Sequence, residues 1–398
     1  MTAFCAALAN EATAQDASIV LNEQIQLGDV FSGQTLNVID ARQQVTASTT
    51  AMGNQITGGT EGRDVFVRNR QTGFAAAVAQ TRLNMQGQNN GRTTVVTQAR
   101  GNEASIAANN ATLSLDSAQT SYGPSRASTQ TEDPQAHHLN GMTLTSAAYG
   151  NNLSAGGRNT LVEGAIGQTS TSSTVAQTFA PARYVPGQTQ LHSDATANSV
   201  QINTTGVSDQ DVAITQNSQS WVGSSSNLSG ANVWNAATTA SGAANRVSLY
   251  NNGGSQVIAL DQTSSSTVDV RAKSYAYDYG DMRAIADGVG NQATVGNADI
   301  WVEIDNRQIN TGGVAVSADL SGHNGYDAYV GANATGNAVT GYACSDCGGV
   351  VRATNSQTNA SSISASATTN LTGTNRAVIT GTTATGNSAS FYVTRPGG

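Results

Sequence analysis

One short string recurs along the whole chain at nearly constant spacing, and it constrains the fold more than any other feature. AMGNQI, ARGNEA, AYGNNL, ATANSV, GAANRV, GVGNQA, ATGNAV and ATGNSA carry Asn54, Asn102, Asn151, Asn198, Asn245, Asn291, Asn337 and Asn387, spaced 46 to 50 residues apart. The flanking columns repeat as well. Ala or Gly stands three residues before every one of these Asn residues, and Gly or Ala immediately before. Two residues after come Ile56, Ala104, Leu153, Val200, Val247, Ala293, Val339 and Ala389, and the next position is always Ser, Thr or Gln. Alternation of period two reads as a half-buried strand, here entered through a tight turn of small residues. A period of this length marks a repeat architecture.

A second landmark keeps the same period. Gln71, Gln119, Gln168, Gln262 and Gln308 all lie at one fixed distance after their motif Asn; Gln216 lies one position further on, and Gln357 three. Apolar alternation continues in Val268/Val270, Val314/Val316 and Ile363/Ala365, and again before the next motif in Met142/Leu144 and Ala328/Val330. Each unit thus holds about four short strands and no helical period. Only 5% of the residues are aromatic and 11% charged, against roughly 25% charged in an ordinary domain. Such a unit cannot bury enough large side chains to offset its own conformational entropy. Stacking gives every strand ladder partners and lines equivalent residues into columns, where Asn and Gln amides can bond along the axis. The expected fold is all-β: a β-solenoid of about eight repeats of ~47 residues. Two coils of roughly 23 residues per repeat would make a rod on the order of 75 Å. A β-sandwich or a string of hairpins is the competing arrangement.

Charge and chain organisation narrow the function. The net charge of −8 includes no basic stripe of the kind nucleic acid or anionic lipid requires, so nucleic acid is not an expected partner. No apolar run reaches the length of a transmembrane helix. Residues 1–14 read as the remnant of an export signal, with small apolar residues at Thr2–Ala9 and an A-x-A pattern at Ala12-Thr13-Ala14, but no basic region ahead of them. Residues 15–44 then form a non-repeating N-terminal segment, 45–394 the repeat domain and 395–398 a tail.

Few residues suggest chemistry. Asp209/Asp211 and Asp278/Asp281 are the closest carboxylate groupings and read as solvated turn residues. His137 and His138 lie in the polar stretch TEDPQAHHLNG, and neither they nor His192 and His323 suggest a metal site. No catalytic residue, cofactor-binding loop or metal centre is expected. Cys344 and Cys347 form a C-x-x-C pair in YACSDCGG without further zinc ligands nearby; in an exported protein this reads as a local disulfide across an inserted loop. Tyr275, Tyr277 and Tyr279 alternate in SYAYDYG, which would project all three from one strand face, either as cross-strand packing or as a polysaccharide contact.

The A-x-G-N-x-[AV] motif with its following Gln resembles the curlin-type repeats of bacterial surface fibres. The stretch NEQIQLGDVFSG (Asn22 to Gly33) ahead of such repeats resembles the holdfast anchor protein D family of stalked alphaproteobacteria. That resemblance implies an exported, non-enzymatic protein of the outer membrane or cell surface. Such a protein would work with other holdfast anchor proteins to fix an adhesive polysaccharide to the envelope. The alternatives are a β-helix enzyme degrading polysaccharide, or a general surface adhesin or fibre subunit. The last motif strand, with Phe391, Tyr392 and Val393, has no following coil in the repeat pattern and is expected to dock on a partner or a second copy.

Overall fold

The computed structural model describes residues 18–344 and 346–394; the export-signal and tail assignments fall outside them. Every strand pairing among the described residues is parallel, and the register carries Asn54 onto Asn102, Asn151, Asn198, Asn245, Asn291, Asn337 and Asn387 in turn. Gln24, Gln71, Gln119, Gln168, Gln216, Gln262, Gln308 and Gln357 form a second continuous column. The chain is a β-solenoid.

Each coil has three strand segments: a Gln strand such as Val65–Gly73, a third strand such as Ala77–Met85, and a longer Asn strand such as 93–109. One repeat is therefore one coil, not two. Segments half a repeat apart resemble each other because both are half-buried strands, but they face each other across the core instead of stacking. Eight coils at the ~4.8 Å ladder spacing rise roughly 38 Å, about half the expected length. The coils also begin earlier than the motif. Ser18–Gln26 pairs with Val65–Gly73, and Val30–Val38 with Ala77–Met85, each one repeat ahead of its partner. The stretch from 18 to 38 is thus the Gln strand and third strand of the first coil, with Val45–Glu61 as its Asn strand.

Two narrow hydrophobic cores run side by side along the axis. The first half of each Asn strand packs on the third strand, as in Val95, Ala99, Ala79 and Leu83. The second half packs on the Gln strand, as in Ala104, Ile106, Leu113 and Leu115. Between them the motif forms a waist. The small residues there mark a phase change inside one long strand and not the turn expected from sequence: inward positions are 95, 97 and 99 before Gly101, then 102, 104 and 106 after it. A Cβ on Gly101 would lie 2.6 Å from the carbonyl of Gly150 in the next coil. Where Ala197 and Ala244 occupy this position they are completely buried, which leaves room for nothing larger.

Polar ladders line the waist. Each motif Asn donates one Nδ2 hydrogen to the Asn Oδ1 of the following coil, at 2.7 to 2.9 Å, from Asn54 through Asn337. It donates the other across the waist to a backbone carbonyl at the end of the Gln strand, as Asn102 does to Thr120 at 2.9 Å. The Gln ladder runs the opposite way: Gln119 donates to Gln71 of the preceding coil at 2.8 Å and to the carbonyl of Asn152 at 3.0 Å. Both amide hydrogens are used at each step, which meets the bonding requirement of a buried carboxamide. On the other side of the waist, Thr49, Thr81, Thr97, Thr129, Ser146, Thr178, Ser193 and Ser226 link into a chain of hydroxyls with steps of 2.7 to 3.0 Å. Later coils place Ala240, Ala272, Ala286 and Ala318 there instead, all buried.

Candidate functional site

The corner where the third strand turns into the Asn strand carries exposed rings from coil to coil. Register there runs from His137 to Tyr184, Asn232, Asp278 and Asn324. His137 meets Tyr184 edge-on at 5.9 Å, Tyr277 meets His323 at 4.9 Å, and Trp234 meets Tyr326 edge-on at 5.8 Å. The guanidinium of Arg376, paired with Asp327, lies 5.6 Å over the Tyr326 ring. Trp234, Tyr277 and Tyr326 are 52%, 50% and 51% exposed. Beside Trp234 a groove of about 470 Å³ is lined by Tyr184, Val185, Pro186, Asn232, Val233, Trp234 and Asp278. Asp278 accepts a hydrogen bond from Asn324 at 3.2 Å. The corner thus offers flat apolar faces flanked by amide and carboxylate groups, a surface able to stack on an apolar ligand face and bond hydroxyls beside it.

The three tyrosines of SYAYDYG do not share a face. Tyr275 and Tyr277 point outward, but the chain bends into the corner after Tyr277, and Tyr279 turns inward to 3% exposure. Its hydroxyl bonds Asn375 Oδ1, and its ring fills the space beside Gly325, where a Cβ would collide with the ring carbons. Packing against the Tyr279 ring therefore requires glycine at 325.

Other sequence candidates are dispersed. His138 is completely buried, contrary to its polar sequence context, because it points into the coil and bonds Thr93 Oγ1 through Nδ1 at 2.8 Å. Burial, and secondarily the charge of His137, depress its pKa to about 4. Cys344 and Cys347 are joined by a disulfide at the corner between the Asn strand ending at Cys344 and the Gln strand starting at Val350. This is where the longer Asn337–Gln357 spacing is absorbed. Asp209 caps a neighbouring coil through Ser255 N and Oγ at 2.6 and 2.8 Å, and Asp281 pairs with Arg283 at 3.1 Å. Asp211 lies instead with Glu163, Glu303 and Asp305 along a groove on the outer face of the Gln strands. Among the described residues no three His, Cys, Asp or Glu side chains are grouped to hold a metal ion, and no helix is long and apolar enough to cross a membrane.

The family described as holdfast attachment protein D matches residues 39–313, more than half the chain. The chain belongs to that family. No curated protein and no solved structure matches it. The match covers the repeats from Asn54 to Asn291 and not the Asn22–Gly33 stretch that carries the resemblance in sequence. The matched region includes the corner residues His137, Tyr184, Trp234 and Tyr277.

Sequence reading singles out Tyr277 but misses its neighbours on the corner. A signal exists. His137, Tyr184, Tyr277 and His323 all stand at one fixed distance before a motif Asn, and Trp234, Tyr326 and Arg376 at a second, shorter one. Neither column is aromatic in every repeat, so it surfaces only when the repeats are aligned on the Asn. Gln24 is missed for a different reason: its NEQIQ matches NRQTG around Gln71 only loosely, and no motif Asn precedes it.

Proposed function

We propose that this protein is a non-enzymatic structural element that holds the adhesive polysaccharide of the holdfast at the cell surface, with the aromatic corner as its sugar-binding face. The observation that carries this reading is the run of half-exposed rings at Tyr184, Trp234, Tyr277 and Tyr326 on successive coils, set beside the amide and carboxylate groups of Asn232, Asp278 and Asn324. A chain of pyranose rings offers apolar C–H faces to such rings and hydroxyls to such side chains. A rigid ladder holds the contacts in line, so little conformational entropy is lost when several sugars bind together. Export to the outer membrane and attachment through other holdfast anchor proteins complete the proposal; the family's description as a holdfast attachment protein supports both.

Purified protein incubated with holdfast polysaccharide tests it. Retention without shortening of the polymer is expected, and Trp234→Ala with Tyr277→Ala should weaken retention while leaving thermal unfolding unchanged. Depolymerisation would overturn the non-enzymatic reading, and undiminished retention by the double variant would move the sugar contact elsewhere.

A further inference from the structure

A second exposed ring stands apart from the corner. Trp221 opens the strand Trp221–Asn252, and the alternation that puts Val222 and Ser224 inside turns Trp221, Gly223 and Ser225 outward. Gly223 lets the ring lie down. A Cβ there would come within 2.6 Å of Cζ2 and Cη2 of the indole, so the ring rests on its own strand two residues ahead. Val175, the register partner of Gly223 in the preceding coil, is only 8% exposed although it points outward. The opposite face of the ring stays open, with Trp221 42% exposed.

A groove of about 270 Å³ lies beside this ring, with Gln177, Ser225, Asp269 and Arg271 on its rim. Arg271 donates twice to Asp269, from Nε to Oδ1 at 2.9 Å and from Nη2 to Oδ2 at 2.7 Å, so the rim carries no net charge. The Gln177 amide and the Ser225 hydroxyl form no hydrogen bond among the described residues. The strand is paired on both sides, which leaves no edge for a peptide strand to extend. What remains for a ligand is a flat apolar ring beside free hydrogen-bonding groups and balanced charge. A neutral sugar matches that set.

The groove shares a sheet face with the corner. On the next strand Asp269, Arg271, Lys273, Tyr275 and Tyr277 all point outward, and Thr267 is the register partner of Trp221. From Thr267 to Tyr275 the strand covers roughly 26 Å, at about 3.3 Å per residue. Asn227 and Ser229 face outward over the same span, so amide and hydroxyl groups line the way.

We infer that Trp221 is a second stacking platform for the polysaccharide, and that one polymer strand crosses the coil on this face from Tyr277 and Tyr275 to Trp221. The inference rests on the sugar-binding reading of the corner. It adds a direction: the corner rings follow one another along the axis, whereas this track runs along the strands.

Equilibrium binding of the full chain to holdfast polysaccharide, and to its fragments sorted by length, tests the track. The variants are Trp221→Ala, Trp221→Phe, Ser225→Arg and the corner pair Trp234→Ala with Tyr277→Ala. Ser225→Arg fills the groove and leaves the ring in place, so it reports on the site even where Trp221→Ala loosens the coil. Wild type should hold fragments that reach both ends of the face at least about tenfold more tightly than short ones, because the second contact is intramolecular. Trp221→Ala and Ser225→Arg should each lose that gain, and Trp221→Phe should keep most of it. A wild type whose affinity does not depend on length, or groove variants that keep the full gain, would overturn the inference and leave the corner reading standing. Weakened groove variants beside a corner pair that binds as wild type would support the Trp221 platform and overturn the corner reading. Wild type that binds no fragment and no polymer would overturn both.

Discussion

At the scale of single residues, His138 shows what burial inside a coil does to a side chain. Its ring is fully enclosed and its pKa falls to about 4, while in the unfolded chain it returns to roughly 6.5. Between those values the unfolded state binds the proton and the folded state does not. The stability contributed by a neutral His138 is therefore complete above about pH 6.5 and is lost as pH falls toward 4, by roughly 3 kcal/mol in total. His138→Asn, which can keep an amide partner for Thr93, should flatten that part of the pH profile; equal slopes for variant and wild type in melts from pH 7 to 4.5 would contradict the assignment. Burial also separates neighbours on one strand. Val247 is enclosed in the second core, whereas Ser248 faces solvent. Val247→Asp should cost several kcal/mol as an unpaired buried charge, on the order of 3 or more, and Ser248→Asp less than about 0.5. Denaturant titration of the two variants reads the difference directly.

At the scale of the element, the Asn ladder is held in its middle coils by amide groups whose donors and acceptors are all engaged. Asn198 donates to Asn245 Oδ1 and to the Asn217 carbonyl, both at 2.9 Å, and accepts from Asn151 at 2.8 Å. Asn198→Asp removes both donors, turns them into repulsive contacts and buries a charge, so it should destabilise by roughly 3 kcal/mol or more at pH 7. Asn387→Asp keeps the acceptor facing Asn337 and gives up no donated bond found among the described residues; it should cost under about 1 kcal/mol. Matching losses for the two would mean that the ladder contributes through shape and not through its hydrogen bonds. The sequence showed this element plainly, because a column of one residue type at fixed spacing is what a ladder requires. It did not show that the Gln ladder runs with opposite polarity, since direction depends on which neighbour's backbone carbonyl lies across the waist.

At the scale of the whole molecule, stability is a sum over coils and the interfaces between them. Among the described residues, middle coils are covered on both sides and the first and last on one. Amide hydrogen exchange should therefore be slowest in 142–264 and fastest in 18–38 and 350–394, grading along the axis and not by sheet. Uniform exchange along the axis would indicate that the rod opens as one unit. Strands in this molecule meet partners a whole repeat away in sequence, so folding must close long loops before any ladder is complete.

The chain's own sequence determined the repeat, the all-β class, the stacking of like residues and the inward column that includes Val200 and Val247, because each is a periodic pattern that local chemistry imposes. Tertiary structure decided the rest. Whether a strand half a repeat further on lies above its predecessor or across the core from it depends on which surfaces can be covered together, and the alternation is the same in both cases. The waist exists because the Asn strand must pack against two different strands, which divides the core into two. Tyr279 follows Tyr277 at strand spacing yet lies inside, since a bend at a corner reverses which way a side chain faces. The aromatic corner is assembled from residues of separate repeats that become neighbours only when coils stack.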